Sequence, residues 1–304
     1  KSKGCVLKAT PTGYMHLSFQ RPQEDLAPGQ STTFEMKAFF GPKYYNRLEQ
    51  VGGRLDSSVD FGIFAFISKP MLWLMQTFYD GMGKVGMANW GLAIIFLTLL
   101  VKLLMWIPTS KQMESMKKMS KLKPQMDKLK EKYGDDKESI QRETMALYSR
   151  EGVNPLGGCL PMLLQMPIWL ALYNTLYYAV ELYQAPFIPG WINDLSVRDP
   201  IFVLPITLGV LMFLQQKMTP TTGMDGTQAQ IMQIFMPVFF TAIMLFLPSG
   251  LTLYILVNTL IGIIHQWIVY NQPDKPVDPK KKRKPSWLER MNQYVEEQQK
   301  KASS

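Results

Sequence analysis

The sequence predicts a polytopic α-helical membrane protein: a five-helix core with a cytoplasmic helical hairpin, preceded by the end of a β-rich domain. Three observations lead there. Apolar residues, 47% of the 304, are gathered into five blocks near spanning length. The block 91–108 carries one ionisable residue, Lys102, inside an otherwise apolar stretch. The Lys and Arg residues behind a formal net charge of +9 fall in alternate connections, as the positive-inside rule requires.

Residues 1–60 read as a soluble β segment. Residues 13–19 alternate in part, and 33–40 place Phe34, Met36, Ala38 and Phe40 on one face, with turns at Pro28-Gly29 and Gly41-Pro42. So few strands make a poor independent core, so this segment is expected to end a larger β domain. The chain opens in polar sequence with neither Met nor a signal peptide, which predicts a missing N-terminal part.

Residues 61–88 change period. Ile63, Ile67, Met71, Leu74 and Phe78 form an apolar stripe, and Lys69, Gln76 and Asp80 the opposite one. The pattern suits a helix in the membrane interface, with Trp73 and Tyr79 as anchors, followed by a short connector. A soluble amphipathic helix packed on the β domain is the other reading.

Residues 89–109 form the first span. A charge at mid-span costs about 2.5–3.5 kcal/mol on insertion scales and ordinarily faces a protein interior or wet cavity. Thr98 lies one turn before Lys102 on the same face. Alternatively, Lys102 is roughly 10 Å of helical rise from the end of the span, near enough to snorkel.

Residues 110–153 are dense in Lys and Arg, and Gly134-Asp135-Asp136 divides them into a two-helix hairpin. Its first half places Met113, Met116 and Met119 on one face, with Lys117 and Lys118 among them. Methionine is flexible and polarizable, and suits a surface that receives varied apolar partners; ordinary packing between hairpin helices explains it equally.

The remaining spans are 154–183, 201–217, 230–248 and 249–271, interrupted by Pro161, Pro167, Pro205 and Pro237. The loop 184–200 carries only Arg198 and falls outside the membrane, while 218–229 and the basic tail 272–304, with its run at 280–284, fall inside. Cys5 and Cys159 are then on opposite sides, so no disulfide joins them. His16 and His265 are isolated, and no metal-ligand spacing or cofactor motif occurs.

Each later span carries polar residues: Asn174 beside Tyr173 and Tyr177, then Thr207 with Gln215, Gln233 with Thr241, and Tyr254, Asn258 and His265 with Gln266 adjacent. One such stripe is ordinary interhelical hydrogen bonding, but a stripe on each helix around a lysine points to a shared hydrophilic cavity. The spans lack an acidic relay, which argues against a proton pump.

Several stretches together are highly specific. They are Asn89-Trp-Gly91, the Lys102 helix, Ser115-Met-Lys-Lys-Met119, Gly134-Asp-Asp-Lys137, Asn154-Pro-Leu-Gly-Gly-Cys-Leu-Pro161, Gln165-Met-Pro167, Glu181-Leu-Tyr-Gln-Ala-Pro186, Gln216-Lys-Met218 and Leu247-Pro-Ser-Gly-Leu251. In these the chain resembles the YidC family of membrane-protein insertases, strongly over about residues 60–270 and more weakly over 1–60, as the end of the family's periplasmic β domain.

The resemblance implies five helices around a groove open to the cytoplasm and to lipid and closed on the outer side. It also implies location in the bacterial inner membrane with residues 1–60 periplasmic and the C-terminus cytoplasmic. Lys102 takes the place of the family's groove arginine, keeping its charge without the planar fork. Groove contacts then fall to Lys102, Thr98, Gln165, Asn174, Gln215, Thr241, Tyr254 and Asn258. Tyr254-Ile255 stands where relatives often have two tyrosines, so the substrate-contacting position moves to Ile255, which lacks a hydroxyl.

The implied partners are nascent membrane proteins, the Sec translocon, the ribosome with its signal-recognition targeting machinery, and membrane lipids, without DNA and without an enzymatic reaction. Without the resemblance, a small-solute transporter with a cationic intramembrane site is the competing function, although no inverted repeat supports it.

Overall fold

A computed structural model describes residues 4–9, 15–20, 25–33, 39–134, 136–151, 153, 155–219 and 226–273. The chain divides into two compact units, Lys1–Pro42 and Lys43–Ser304. In the first, β1 (Gly4–Ala9) pairs antiparallel with β2 (Met15–Gln20), Gly4 opposite Gln20 and Ala9 opposite Met15. The partial alternation within 13–19 corresponds to β2; β1 has no such alternation and escapes the sequence pattern. Phe34, Met36 and Ala38 of the expected second strand lie outside the described residues, and Thr33, Phe39 and Phe40 are in no strand. The expectation for Cys5 and Cys159 also falls on side chains outside the described set, as does the tail run 280–284.

The second unit begins with α1 (Tyr45–Val51), a 3₁₀ turn (Leu55–Ser58) and α2 (Ala65–Gly83). α2 buries Ser68, Met71, Leu72 and Met75. The small Ser68 lets α2 approach a neighbouring helix closely, and its hydroxyl donates to Ala171 O at 2.9 Å. Ile63, expected on the apolar stripe, precedes the helix and is 90% exposed.

α3 (Trp90–Leu104) starts under a cap: Asn89 Oδ1 accepts from Leu92 N at 3.1 Å. The span expected to reach 109 stops at Leu104, and α4 (Trp106–Lys121) leaves at 63°. A second break at Leu122 precedes α5 (Lys123–Tyr133), and α6 (Lys137–Arg150) follows the positive-φ Gly134. The expected two-helix hairpin is therefore three helices. Only α5 and α6 form the hairpin, with a small core of Leu122, Met126, Leu147, Tyr148 and Val153. α4 packs on the helix bundle instead.

α7 (Pro155–Tyr178) is followed by a 3₁₀ turn (Val180–Leu182) and then α8 (Val203–Met218). α9 (Gly226–Gln230) runs through a π-helical turn (Ile231–Phe235) into α10 (Met236–Met244). The wide turn lies just before Pro237, which has no N–H and clashes with a tighter preceding turn. α11 (Ser249–Asn271) closes the bundle. The five-helix core is thus α3, α7, α8, α9–α10 and α11. Thr227–Met244 and Ser249–Asn271 are each long and apolar enough to cross a bilayer; α3 qualifies only jointly with α4, and α8 is shorter.

One end of the bundle is closed by the connection 179–202. Ser249 N and Gly250 N donate to Val197 O (2.7 Å) and Leu195 O (2.9 Å), and Leu195 N donates to Ala185 O. The Phe187 ring occupies the space where a Cβ on Gly91 would lie, so only glycine allows this packing. Asp199 accepts from Leu204 N (2.8 Å) and Trp191 Nε1 (2.8 Å), fixing the loop to the start of α8.

Candidate functional site

Toward the end at which α8 and α11 finish, the helices part around a cavity of about 730 Å³. α3 contributes Lys102; α4 contributes Thr109, Gln112, Met113 and Met116; α7 contributes Gln165, Met166 and Trp169. Leu208, Met212 and Gln215 line it from α8 and Thr219 from just past its end, Phe240 and Met244 from α10, and Ile255, Asn258, Gly262, Gln266 and Tyr270 from α11. Gly262 sets how closely the helices converge. A Cβ there would lie 3.2 Å from Gln215 Nε2 and 3.8 Å from Lys102 Nζ.

Among the described residues, no carboxylate lies within ion-pairing distance of Lys102. The wall around it combines carboxamides and hydroxyls with methionines and the apolar Trp169, Leu208, Phe240 and Ile255, with no carboxylate, cysteine or histidine among the lining residues. No group of three or more metal-ligating side chains occurs among the described residues. Such a site can hold water, donate hydrogen bonds and attract negative charge between apolar helices.

Of the eight residues expected in the groove, Lys102, Gln165, Gln215 and Asn258 meet at this cavity. The other four lie elsewhere. Thr98 is 1% exposed and donates to Ile94 O at 2.7 Å. Asn174 donates to Phe61 O at 3.1 Å, holding the backbone that leads into α2. Thr241 donates to Pro237 O at 2.7 Å and packs on Gly209. Tyr254 is 1% exposed within the apolar core, and its neighbour Ile255 faces the cavity.

The residues expected on the hairpin also separate. Met113 and Met116 line the cavity, because the breaks at Met105 and Leu122 turn α4 onto the bundle. Met119 packs on the hairpin core. Lys117 Nζ donates to Gln272 O at 2.6 Å, and Lys118 is exposed. His265, expected on the polar stripe of the last span, packs against the bend between α3 and α4. Trp169 begins a row of stacked rings along α7, with centroids 6.0 Å to Tyr173 and then 5.6 Å to Tyr177. A search for polar stripes overlooks Met166, Trp169, Met212, Phe240 and Met244, which look like lipid-facing or core residues until the bend is known.

The profile of the 60Kd inner membrane protein family matches residues 82–276, and that of the YidC periplasmic domain matches residues 3–74. A membrane protein insertase YidC of Haemophilus ducreyi is 44% identical over 266 residues, which is 88% of this chain and 48% of the relative. Its counterpart in Aeromonas hydrophila subsp. hydrophila is 47% identical over 259 residues, 85% of this chain and 46% of the relative. The chain thus spans about half the length of the curated relatives it matches. A crystal structure of an active YidC insertase with its first transmembrane domain resolved superposes with a TM-score of 0.54 at 26% identity, covering 77% of this chain and 54% of that one.

Proposed function

This chain belongs to the 60Kd inner membrane protein family, the YidC family, and from that premise we propose that it inserts nascent membrane segments into the bilayer through the Lys102 cavity. The observation that supports this most is a cation that has no carboxylate partner among the described residues and faces a largely apolar cavity carrying several carboxamides and methionines. A polar flank of a substrate rests in this wet space while its apolar part moves into lipid. The polar flank then avoids much of the cost of leaving water unpaired. No covalent chemistry is required of the protein.

The short helices contribute. α3 has 15 residues and α8 has 16, about 22–24 Å of rise against a hydrocarbon core of about 30 Å. Local thinning of the bilayer lowers the distance a polar flank must cross. In the topology we infer, the closed end with the 179–202 connection and residues 1–60 face the periplasm, and α4–α6 and the tail face the cytoplasm. The basic α4–α6 region and tail then meet the ribosome and targeting machinery, and the lipid-facing helices meet the Sec translocon and lipid.

Reconstitution tests this. Proteoliposomes holding the protein should integrate a single-span substrate, giving a protease-protected fragment above the level of protein-free vesicles. Uptake of small charged solutes with no protected fragment would contradict the proposal.

A further inference from the structure

We propose that Gln165, Gln215 and Asn258 form a recognition site for peptide backbone, taking the unpaired N–H and C=O groups of a non-helical stretch of the incoming segment. This rests on the insertase reading above.

Three different helices, α7, α8 and α11, each deliver one of these carboxamides to the same cavity. Among the described residues none of the three side chains has a hydrogen-bond partner. Other carboxamides of the same bundle are used internally. Asn89 caps α3 and holds Phe187 O, Asn174 holds Phe61 O, and Gln76 joins Asn46 to Glu181. An amide set between apolar helices without a protein partner needs water or a ligand to serve it.

The chemistry selects the ligand. A carboxamide carries N–H donors and a carbonyl acceptor, the same complement as a peptide unit, so the two can pair in both directions. Lys102 only donates, and serves carbonyl or carboxylate oxygens. Pairing to backbone ignores the side chains of the substrate, which meet the adaptable thioethers of Met113, Met116, Met166 and Met212 instead. The site therefore holds segments of unrelated sequence.

The same logic supplies release. A helix satisfies its own backbone groups internally except at its ends. A segment that becomes helical no longer offers what the carboxamides bind, and it is then stable in lipid. Helix formation is thus the step that frees the segment from the cavity.

Backbone ester substitution provides the test, because it removes N–H donors without altering a side chain. A synthetic single-span substrate is made with amides in its polar flank, and again with esters there. Insertion is measured in proteoliposomes holding the wild-type chain, Gln215→Leu, or Gln165→Leu with Gln215→Leu and Asn258→Leu. The wild type should insert the ester substrate about three- to ten-fold more slowly, as expected for the net loss of about one hydrogen bond. The triple variant should insert both at the slower rate, and Gln215→Leu should narrow the gap. If the triple variant does not fold, the single variant still decides. An equal rate for both substrates in wild type, or the same ester penalty in wild type and Gln215→Leu, overturns the proposal while leaving the insertase reading standing. Failure of wild type to insert the amide substrate above protein-free vesicles removes both.

Discussion

The imidazole of His265 lies flat on the indole of Trp106, ring centroids 3.7 Å apart and planes 12° from parallel. The contact joins the last helix to the first residue of α4, where the chain bends by 63° after α3. The His265 Nε2 is also 2.7 Å from Ser110 Oγ, and Ser110 Oγ donates its hydrogen to Trp106 O at 2.8 Å. With that hydrogen committed, Nε2–H must be the donor to Ser110. The pair pins the elbow that turns Met113 and Met116 into the cavity.

His265→Ala should therefore loosen the elbow. Loss of a buried stack and hydrogen bond should cost about 1–3 kcal/mol, read as a lower melting temperature in detergent. Spin labels on α3 and α4 should report a broader distance distribution. His265→Gln keeps an N–H donor and should restore part of the order.

Gly262 offers a steric test of the cavity. Its missing Cβ leaves 3.2 Å to Gln215 Nε2. Gly262→Ala should be accommodated by a small shift of that flexible amide, with insertion near wild type. Gly262→Leu should intrude between Gln215 and Lys102, narrow the cavity there and slow insertion of every substrate, while the far closed end, held by 179–202, stays folded. Insertion rates and protease-resistant core fragments of the two variants check this.

The hairpin should fold and fail separately from the bundle, because its core is its own. Leu147→Ala should destabilise α5–α6 by about 2–4 kcal/mol, seen as faster amide exchange there and unchanged exchange in α3 and α11. At its start, the donors of Ser139 hold the Asp136 carboxyl below the usual carboxylate range. A depressed folded pKa gives stability that is present above the unfolded value and lost as pH falls through the folded one. Exchange at the start of α6 should accordingly rise only in that acidic window, and Asp136→Asn should remove the pH dependence.

Lys102 should act as a point charge. Lys102→Arg should insert substrates at near wild-type rates, because attraction over distance does not need a fork. Lys102→Ala should impair substrates with acidic flanks most, and Lys102→Glu should impair them further. Insertion of a matched acidic and neutral pair in each variant measures this; equal handling of both by Lys102→Ala would remove the charge from the mechanism.

The helical membrane class could be read from the sequence, because long hydrophobic blocks report the bilayer directly. Lys102, Gln215 and Asn258 stood out as polar residues in apolar surroundings. Thr98, Thr241 and Asn174 stood out for the same reason, yet their side chains serve backbone carbonyls. A polar residue on a helix looks the same in sequence whether its partner is a carbonyl or a cavity. Pro108 has no N–H for the Leu104 carbonyl and its ring crowds that carbonyl, so a proline does mark the bend at Met105. The apolar block runs on to Pro108, so the span read as reaching 109, α4 read as part of the hairpin, and Met113 and Met116 were separated from their site. Gln165 came from resemblance alone.

If substrates pass through the Lys102 cavity, site-specific photocrosslinking of a stalled nascent chain will catch them there. A photoreactive residue is placed at Ile255 or Met212, which line the cavity, and at Val210, which shares α8 with Met212 but is 55% exposed and absent from the cavity lining. The polar flank of the substrate should crosslink from Ile255 and Met212 and not from Val210. Crosslinks to that flank from Val210 alone, with none from Ile255 or Met212, would contradict the account.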